Sequence, residues 1–335
     1  MAEVAADRGA PRSASWPRAL GARIEPIYLV LIVVFVVGWI AVSLRGGQFL
    51  TVTNLTNMFV RSISLGLVSI GQTLVILGGS LDLSVAYMIS VAAVVSSVVM
   101  QGQPDRMLLG IGAALALGLV VGLVNGLIIT RLKVNAFIAT LGTALVMRGL
   151  LNASFENFSG AVPPEFQALG YDSIGPVPWS ILLLLGLAGA AWALARYTRF
   201  GYHLYAVGGN QEVARLSGVR SGTVLIVAHV LCSLTGVLTA LFIVSRLRAG
   251  APWVGPDGGY DLESIAAVVL GGTALAGGRG SVLGTLAGVL IFAIIDNVFN
   301  EFQVDPFLKT LLRGVIIVGA VASYSFRSRE MRAQA

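Results

Sequence analysis

Residues 26–44, PIYLVLIVVFVVGWIAVSL, run for nineteen positions without a charged side chain. As a helix this stretch rises about 28 Å, close to the roughly 30 Å hydrocarbon core of a bilayer. It is too long for the core of a secretion signal, and no clear small-residue cleavage site follows it. It is therefore read as the first of several membrane spans. Ahead of it, residues 1–24 carry Arg8, Arg12, Arg18 and Arg23 among Pro, Ala and Ser, the composition of a cytoplasmic tail.

The rest of the chain has the same character. Hydrophobic residues make up 56% and charged residues 11%, where about a quarter would be charged in a soluble domain; the mean hydropathy is +0.86. Lipid must be the solvent for most of it. Further apolar runs place spans near 55–78, 84–100, 107–130, 134–152, 177–195, 221–245, 262–276, 281–299 and 305–324. The expectation is an all-α polytopic membrane protein of ten transmembrane helices. A membrane domain, 25–326, lies between the N-terminal tail and a C-terminal tail, 327–335. Basic residues test the orientation, because they accumulate in cytoplasmic loops. With both termini cytoplasmic, fourteen of the 22 Lys and Arg residues fall inside, and only Arg45, Arg106, Arg246 and Arg248 fall outside. Loop 152–176 agrees, since it holds Glu156, Glu165 and Asp172 and no basic residue. In such a chain the formal charge of +6 reports topology, so no nucleic-acid partner is inferred.

Between the sixth and seventh spans lies a polar, basic island, RFGYHLYAVGGNQEVARLSGVR (199–220), which this topology places in the cytoplasm. Asn210 is suited to cap a helix, because its side-chain oxygen can accept from free N–H groups of the first turn. Glu212 then sits where the helix dipole favours a negative charge. Gln211 to Ser217 gives about two turns, roughly 10 Å, and Gly218 can take the left-handed conformation that ends it. Alone in water so short a helix is marginal, so the flanking spans must brace it. Val213, Ala214 and Leu216 offer a small apolar surface beside Glu212 and Arg215. Composition alone leaves the island open between a docking knob and an ordinary connector.

Two apolar runs break at Gly-Gly with polar residues following, LVILGGSLDLS (74–84) and VVLGGTALAGGRGS (268–281). Broken helices in corresponding halves of a membrane protein point to a transport pathway. Asp82 can cap the third span through its carboxylate, and irregular backbone at that depth is tolerated only beside protein or water. Asn125, Asn135, Thr140 and Thr143 suit hydrogen bonding either to a polyhydroxy solute or between helices. The pathway candidates are Gly78, Gly79, Asp82, Ser84, Thr140, Thr143, Gly271, Gly272 and Asn297. Other glycines, as in GLVVGLVNG (118–126) and GTLAGVLIF (284–292), suit close helix packing. Among ionisable residues in spans, Asp296 with Arg313 or Lys309 is the pairing to test, since such groups pair, snorkel or line water.

Several chemistries are absent. Both lysines, Lys133 and Lys309, follow leucine, so no phosphate-cradling Gly-Lys motif exists. Neither a zinc-protease nor a nucleophile-elbow motif occurs. The lone Cys232 and the separated His203 and His229 suggest no metal cluster, and no cofactor is expected.

Four stretches, LGGSLDLSVA (77–86), VNAFIATLGT (134–143), GYHLYAVGGNQEVARLSGVR (201–220) and DLESIAAVVLGGTALAGGRGSVLGTLAGVLI (261–291), resemble the permease subunits of bacterial ABC importers for monosaccharides of the ribose and xylose type. Two departures stand out. Ser80 with Leu81 occupy the place of a more frequent single Ile, and Asn135 that of a frequent Pro. The resemblance implies a plasma-membrane, multi-pass permease that is not itself an enzyme. Its partners would be a cytoplasmic ATPase, a periplasmic sugar-binding protein and a second permease copy. It makes the island a coupling helix seated in the ATPase, carried by Tyr205, Gly208, Gly209, Asn210, Glu212, Ala214, Arg215, Leu216 and Gly218. A proton-coupled secondary transporter relying on Asp296 is the rival, together with a permease for branched-chain amino acids or nucleosides.

Overall fold

The computed structural model describes residues 26–316, 318 and 319. Both tails lie outside the described residues, as does the end of the span expected near 305–324. The chain forms α1 (Pro26–Leu44), α2 (Val52–Leu77), α3 (Val85–Met100), α4 (Met107–Arg131), α5 (Ala136–Ser154) and α6 (Pro164–Tyr171). A two-residue hairpin, β1 (Ser173–Ile174) and β2 (Val177–Pro178), comes next. Then follow α7 (Trp179–Tyr197), α8 (Arg199–Gly209), α9 (Gln211–Leu216), α10 (Ser221–Leu247), α11 (Val254–Asp257), α12 (Tyr260–Leu270) and α13 (Val282–Glu301). A last helix, α14, covers 306–316.

Seven of these helices are long and apolar enough to cross a membrane: α1, α2, α4, α5, α7, α10 and α13. The helix α3 is shorter, at 16 residues. The span expected at 262–276 is shorter still, because α12 stops at Leu270 after 11 residues, a rise of about 16 Å. Gly272 at φ +89° turns the chain there, into a loop that holds the second Gly-Gly break.

α2 is the axis of the fold. Every residue from Ser62 to Leu77 is buried, the polar Ser62, Ser64, Ser69, Gln72 and Thr73 included. α10, α12 and α13 pack around it. α4 lies against α10 through Gly118, Gly122 and Gly126, spaced four apart on one face. A Cβ at Gly122 would sit 2.6 Å from the Val230 Cα, and one at Gly126 2.7 Å from the Ile226 Cα. Without side chains there, the two backbones approach closely, which is how helices associate in lipid. On its other face α4 exposes Leu119, Val120, Leu123 and Val124. Gly284 and Gly288 do the same for α12, admitting the carbonyls of Gly271 and Ala267.

The acidic loop 152–176 is more structured than a simple connector. Pro164 opens α6, and the β1–β2 hairpin departs locally from an all-helical chain. The Tyr171 hydroxyl donates to the Arg246 carbonyl at 2.8 Å, tying this loop to the end of α10.

Candidate functional site

The island forms as its residues dictate. The Asn210 side chain accepts from the N–H groups of Glu212 and Val213, both at 3.0 Å, and so opens α9. Gly218, at φ +85°, turns the chain beyond its end. Glu212, Val213, Arg215 and Leu216 are exposed, with Val213 at 57% and Leu216 at 78%. Ala214 corrects the expected apolar surface: it is 4% exposed and braces the helix against the protein, so the outward apolar pair is Val213 and Leu216.

The sequence reading also missed α8. Residues 199–209 are helical, opened by Thr198, whose hydroxyl accepts from the Gly201 N–H at 3.2 Å. Leu204 and Val207 are buried. Three glycines in eleven residues lower the intrinsic preference for helix, but the inward packing of Leu204 and Val207 overrides it.

α8 ends at a three-way glycine junction. The Gly278 N–H, from the second break, donates to the Leu77 carbonyl of the first break at 2.9 Å. Gly208 lies against both. A Cβ on Gly208 would overlap the Leu77 carbonyl oxygen and stand 2.5 Å from the Gly278 nitrogen. A Cβ on Gly277 would lie 2.7 Å from the Gly79 nitrogen and 2.9 Å from the Gly208 Cα. The Tyr205 hydroxyl donates to the Gly280 carbonyl at 2.8 Å, a second tie between α8 and this loop. The loop that follows the second break therefore meets the first break directly behind Asn210, two residues from the exposed helix.

Beyond the first break lies a buried polar network. The Asp82 carboxylate accepts from the backbone N–H and the hydroxyl of Ser84. It thus caps the turn before α3, whose own N-cap, Ser84, makes no side-chain cap bond. The other Asp82 oxygen is 3.4 Å from His229 Nδ1, and His229 Nε2 is 2.9 Å from the Ser80 hydroxyl. The Asn125 amide donates to Ser84 Oγ at 2.8 Å and its carbonyl accepts from Thr143 at 2.7 Å. Thr140 Oγ1 accepts from the Leu83 N–H at 3.2 Å. The side chains come from the first break, α4, α5 and α10. Asp82, Ser84, Asn125, Thr140 and His229 are wholly shielded from solvent. A membrane interior tolerates an ionisable pair only with such partners.

His229 was not among the candidates, although it stands alone in an apolar span, which by itself marks a functional residue. The two departures from the family pattern also find roles. Ser80 is the partner of His229, and Asn135 caps α5 by accepting from the Phe137 N–H at 2.9 Å.

The remaining candidates are not part of this network. Gly78 is buried against Leu204 and Leu225, Gly79 is exposed at φ +78°, and Gly271 is packed on Gly284. Asn297, 8% exposed, exchanges hydrogen bonds with Asn54 of α2 at 2.7 and 3.4 Å. Its neighbour in the chain, Asp296, is gripped by Arg313 Nε and Nη2 at 2.8–3.1 Å, and Arg313 Nη1 reaches Glu263 Oε1 at 2.8 Å. Arg313 is thus the partner of Asp296, while Lys309 donates to Asn300 at 2.7 Å. This group sits at the end of the bundle opposite the glycine junction: the starts of α2, α12 and α14 and the end of α13. Among the described residues no three of His, Cys, Asp and Glu converge as a metal site.

Comparison with known proteins gives a consistent result. The family described as "Branched-chain amino acid transport system / permease component" matches residues 54–321. The chain is 36% identical over 287 residues to the ribose import permease protein RbsC of Escherichia coli strain K12, a match covering 84% of this chain and 88% of that one. It is 34% identical over 303 residues to the L-arabinose transport system permease protein AraH of the same strain, covering 90% and 92%. To its galactose/methyl galactoside import permease protein MglC it is 32% identical over 321 residues, covering 90% and 94%. No solved structure matches the chain.

Proposed function

The chain belongs to the permease-component family of the branched-chain amino acid transport system, and from that premise we propose that it is the membrane subunit of an ATP-driven importer for a monosaccharide. The sugar class comes from relatives named for ribose, L-arabinose and galactose. The chain would cross the inner membrane ten times, counting α3, α12 and α14, with both termini in the cytoplasm. It would pair with a second copy, take sugar from a periplasmic binding protein and draw work from a separate cytoplasmic ATPase.

The observation that carries this reading is the placement of α9. An exposed, capped helix presents Val213, Leu216, Glu212 and Arg215 outward, and its base adjoins the junction of both broken segments. A push on α9 reaches the loops after α2 and α12 through backbone contacts, without a compliant side chain between. The first of these loops carries Ser80 and Asp82 of the buried network, which closes the route at that depth. Alternating access then consists of opening this seal when the ATPase dimer moves α9. The proton-coupled alternative loses its main support, because Asp296 is held on both oxygens by Arg313.

Deleting Gln211 to Ser217 is expected to abolish sugar-dependent stimulation of ATPase activity in reconstituted complexes while the protein still inserts. Stimulation at the level of the unaltered protein would remove the coupling role.

A further inference from the structure

A cavity of about 300 Å³ opens at the end of the bundle opposite α9, at the small end of the range that accepts a single small ligand. Its floor is apolar: Met58, Leu65, Val289 and Phe292 are each less than a tenth exposed. Its wall holds hydrogen-bonding groups of both kinds. The Arg313–Asp296–Glu263 group, with side chains 14–32% exposed, lines one side, and Asn300, Lys309 and the exposed Arg61 line the rest.

Charge decides what fits. Arg61, Lys309 and Arg313 would repel an incoming ammonium group, and an anion at Arg61 or Lys309 would sit close to Asp296 and Glu263. A neutral ligand bearing several hydroxyls escapes both objections. Each hydroxyl donates and accepts, so it can bond to an amide, a carboxylate lone pair or a cation, while the C–H face of the ring covers the apolar floor. We infer that this cavity is a binding site for one neutral, monosaccharide-sized polyol on the outer side of the membrane, where Arg61, Asp296 and Glu263 contact hydroxyls and Asn300 and Lys309 only line the wall. The inference rests on the importer reading and adds a place where the permease itself grips the solute.

Cysteine protection tests it, because the sole native thiol, Cys232, is fully buried and gives little background. N300C and K309C, and F307C as a nearby control at 86% exposure, would be placed in the full chain with its ATPase in proteoliposomes without binding protein. Each would be labelled with a water-soluble methanethiosulfonate in the presence of D-ribose, L-arabinose, D-galactose or L-leucine. One of the sugars should slow labelling of N300C and K309C at least fivefold and leave F307C unchanged. Protection by leucine alone, equal protection of all three positions, or no labelling of N300C and K309C would overturn the site. Uptake by the complete complex separates the two layers. If one of these sugars is imported but protects neither position, the site is wrong and the importer reading stands; if none is imported, both fall.

Discussion

Adjacent glycines at the end of α8 should respond oppositely to the same added methyl group. In Gly208→Ala the new Cβ meets backbone, the Leu77 carbonyl and the Gly278 nitrogen at 2.5 Å, and backbone cannot rotate aside. Overpacking of this kind costs about 1–3 kcal/mol. Alanine returns up to about 1 kcal/mol through its better helix propensity. Taking the middle of the overpacking range, about 2 kcal/mol, the net is a loss of roughly 1–2 kcal/mol for the state with the junction closed, about a 5–30-fold fall in its population relative to an open one. In Gly209→Ala the Cβ meets nothing within 4 Å, so only the propensity gain remains. The assay is sugar uptake per ATP hydrolysed in proteoliposomes containing the complete complex. G208A should hydrolyse ATP yet lose uptake about 5–30-fold, a range taken from that energy, while G209A stays within about twofold of the parent. Equal losses in the two variants, or full coupling in G208A, would refute transmission through the junction.

Three further outcomes are expected. Asn210→Ala removes the acceptor from two N–H groups and should destabilise α9 by about 1 kcal/mol; the stimulated ATPase rate should fall several-fold, and Asn210→Ser should restore most of it. Asn125→Leu breaks the links to Ser84 and Thr143; at about 0.6 to 1.7 kcal/mol per interhelical bond in a membrane protein, the loss is about 1–3 kcal/mol, read as a lower inactivation temperature in detergent. Arg313→Lys keeps the charge but cannot bridge Asp296 and Glu263 with a planar fork. It should lower that temperature, and Arg313→Leu, which leaves two carboxylates facing one another, should lower it further.

Features set by local periodicity and chain chemistry were legible in the sequence. The apolar runs located the seven long apolar helices, Asn210 and Gly218 bounded α9 within a residue, and Asp296 with Arg313 was one of two pairings offered by the ionisable residues within spans. What depends on tertiary contact was not. His229 and Asp82 lie 147 residues apart, and nothing in either neighbourhood predicts that α10 turns the imidazole toward the first break. Ala214 looked outward because a six-residue helix carries too few positions to define its inner face. The break at Gly271 and Gly272 is visible in the sequence, but the span expected near 262–276 runs through it because the residues beyond are still largely apolar; a left-handed turn at Gly272 ends α12. The Asn54–Asn297 pair joins helices from opposite ends of the chain, beyond the reach of any pattern in a single segment.

Main-chain atoms alone form the Leu77–Gly208–Gly278 contact, and this separates two demands on the end of the bundle that carries α9. The pivot has no side chain to retune, so it is indifferent to exchanges on the outer surface of α9. On the coupling role proposed above, Val213, Glu212, Arg215 and Leu216 would be free to be re-cut to match a different motor while the stroke passed inward keeps its geometry.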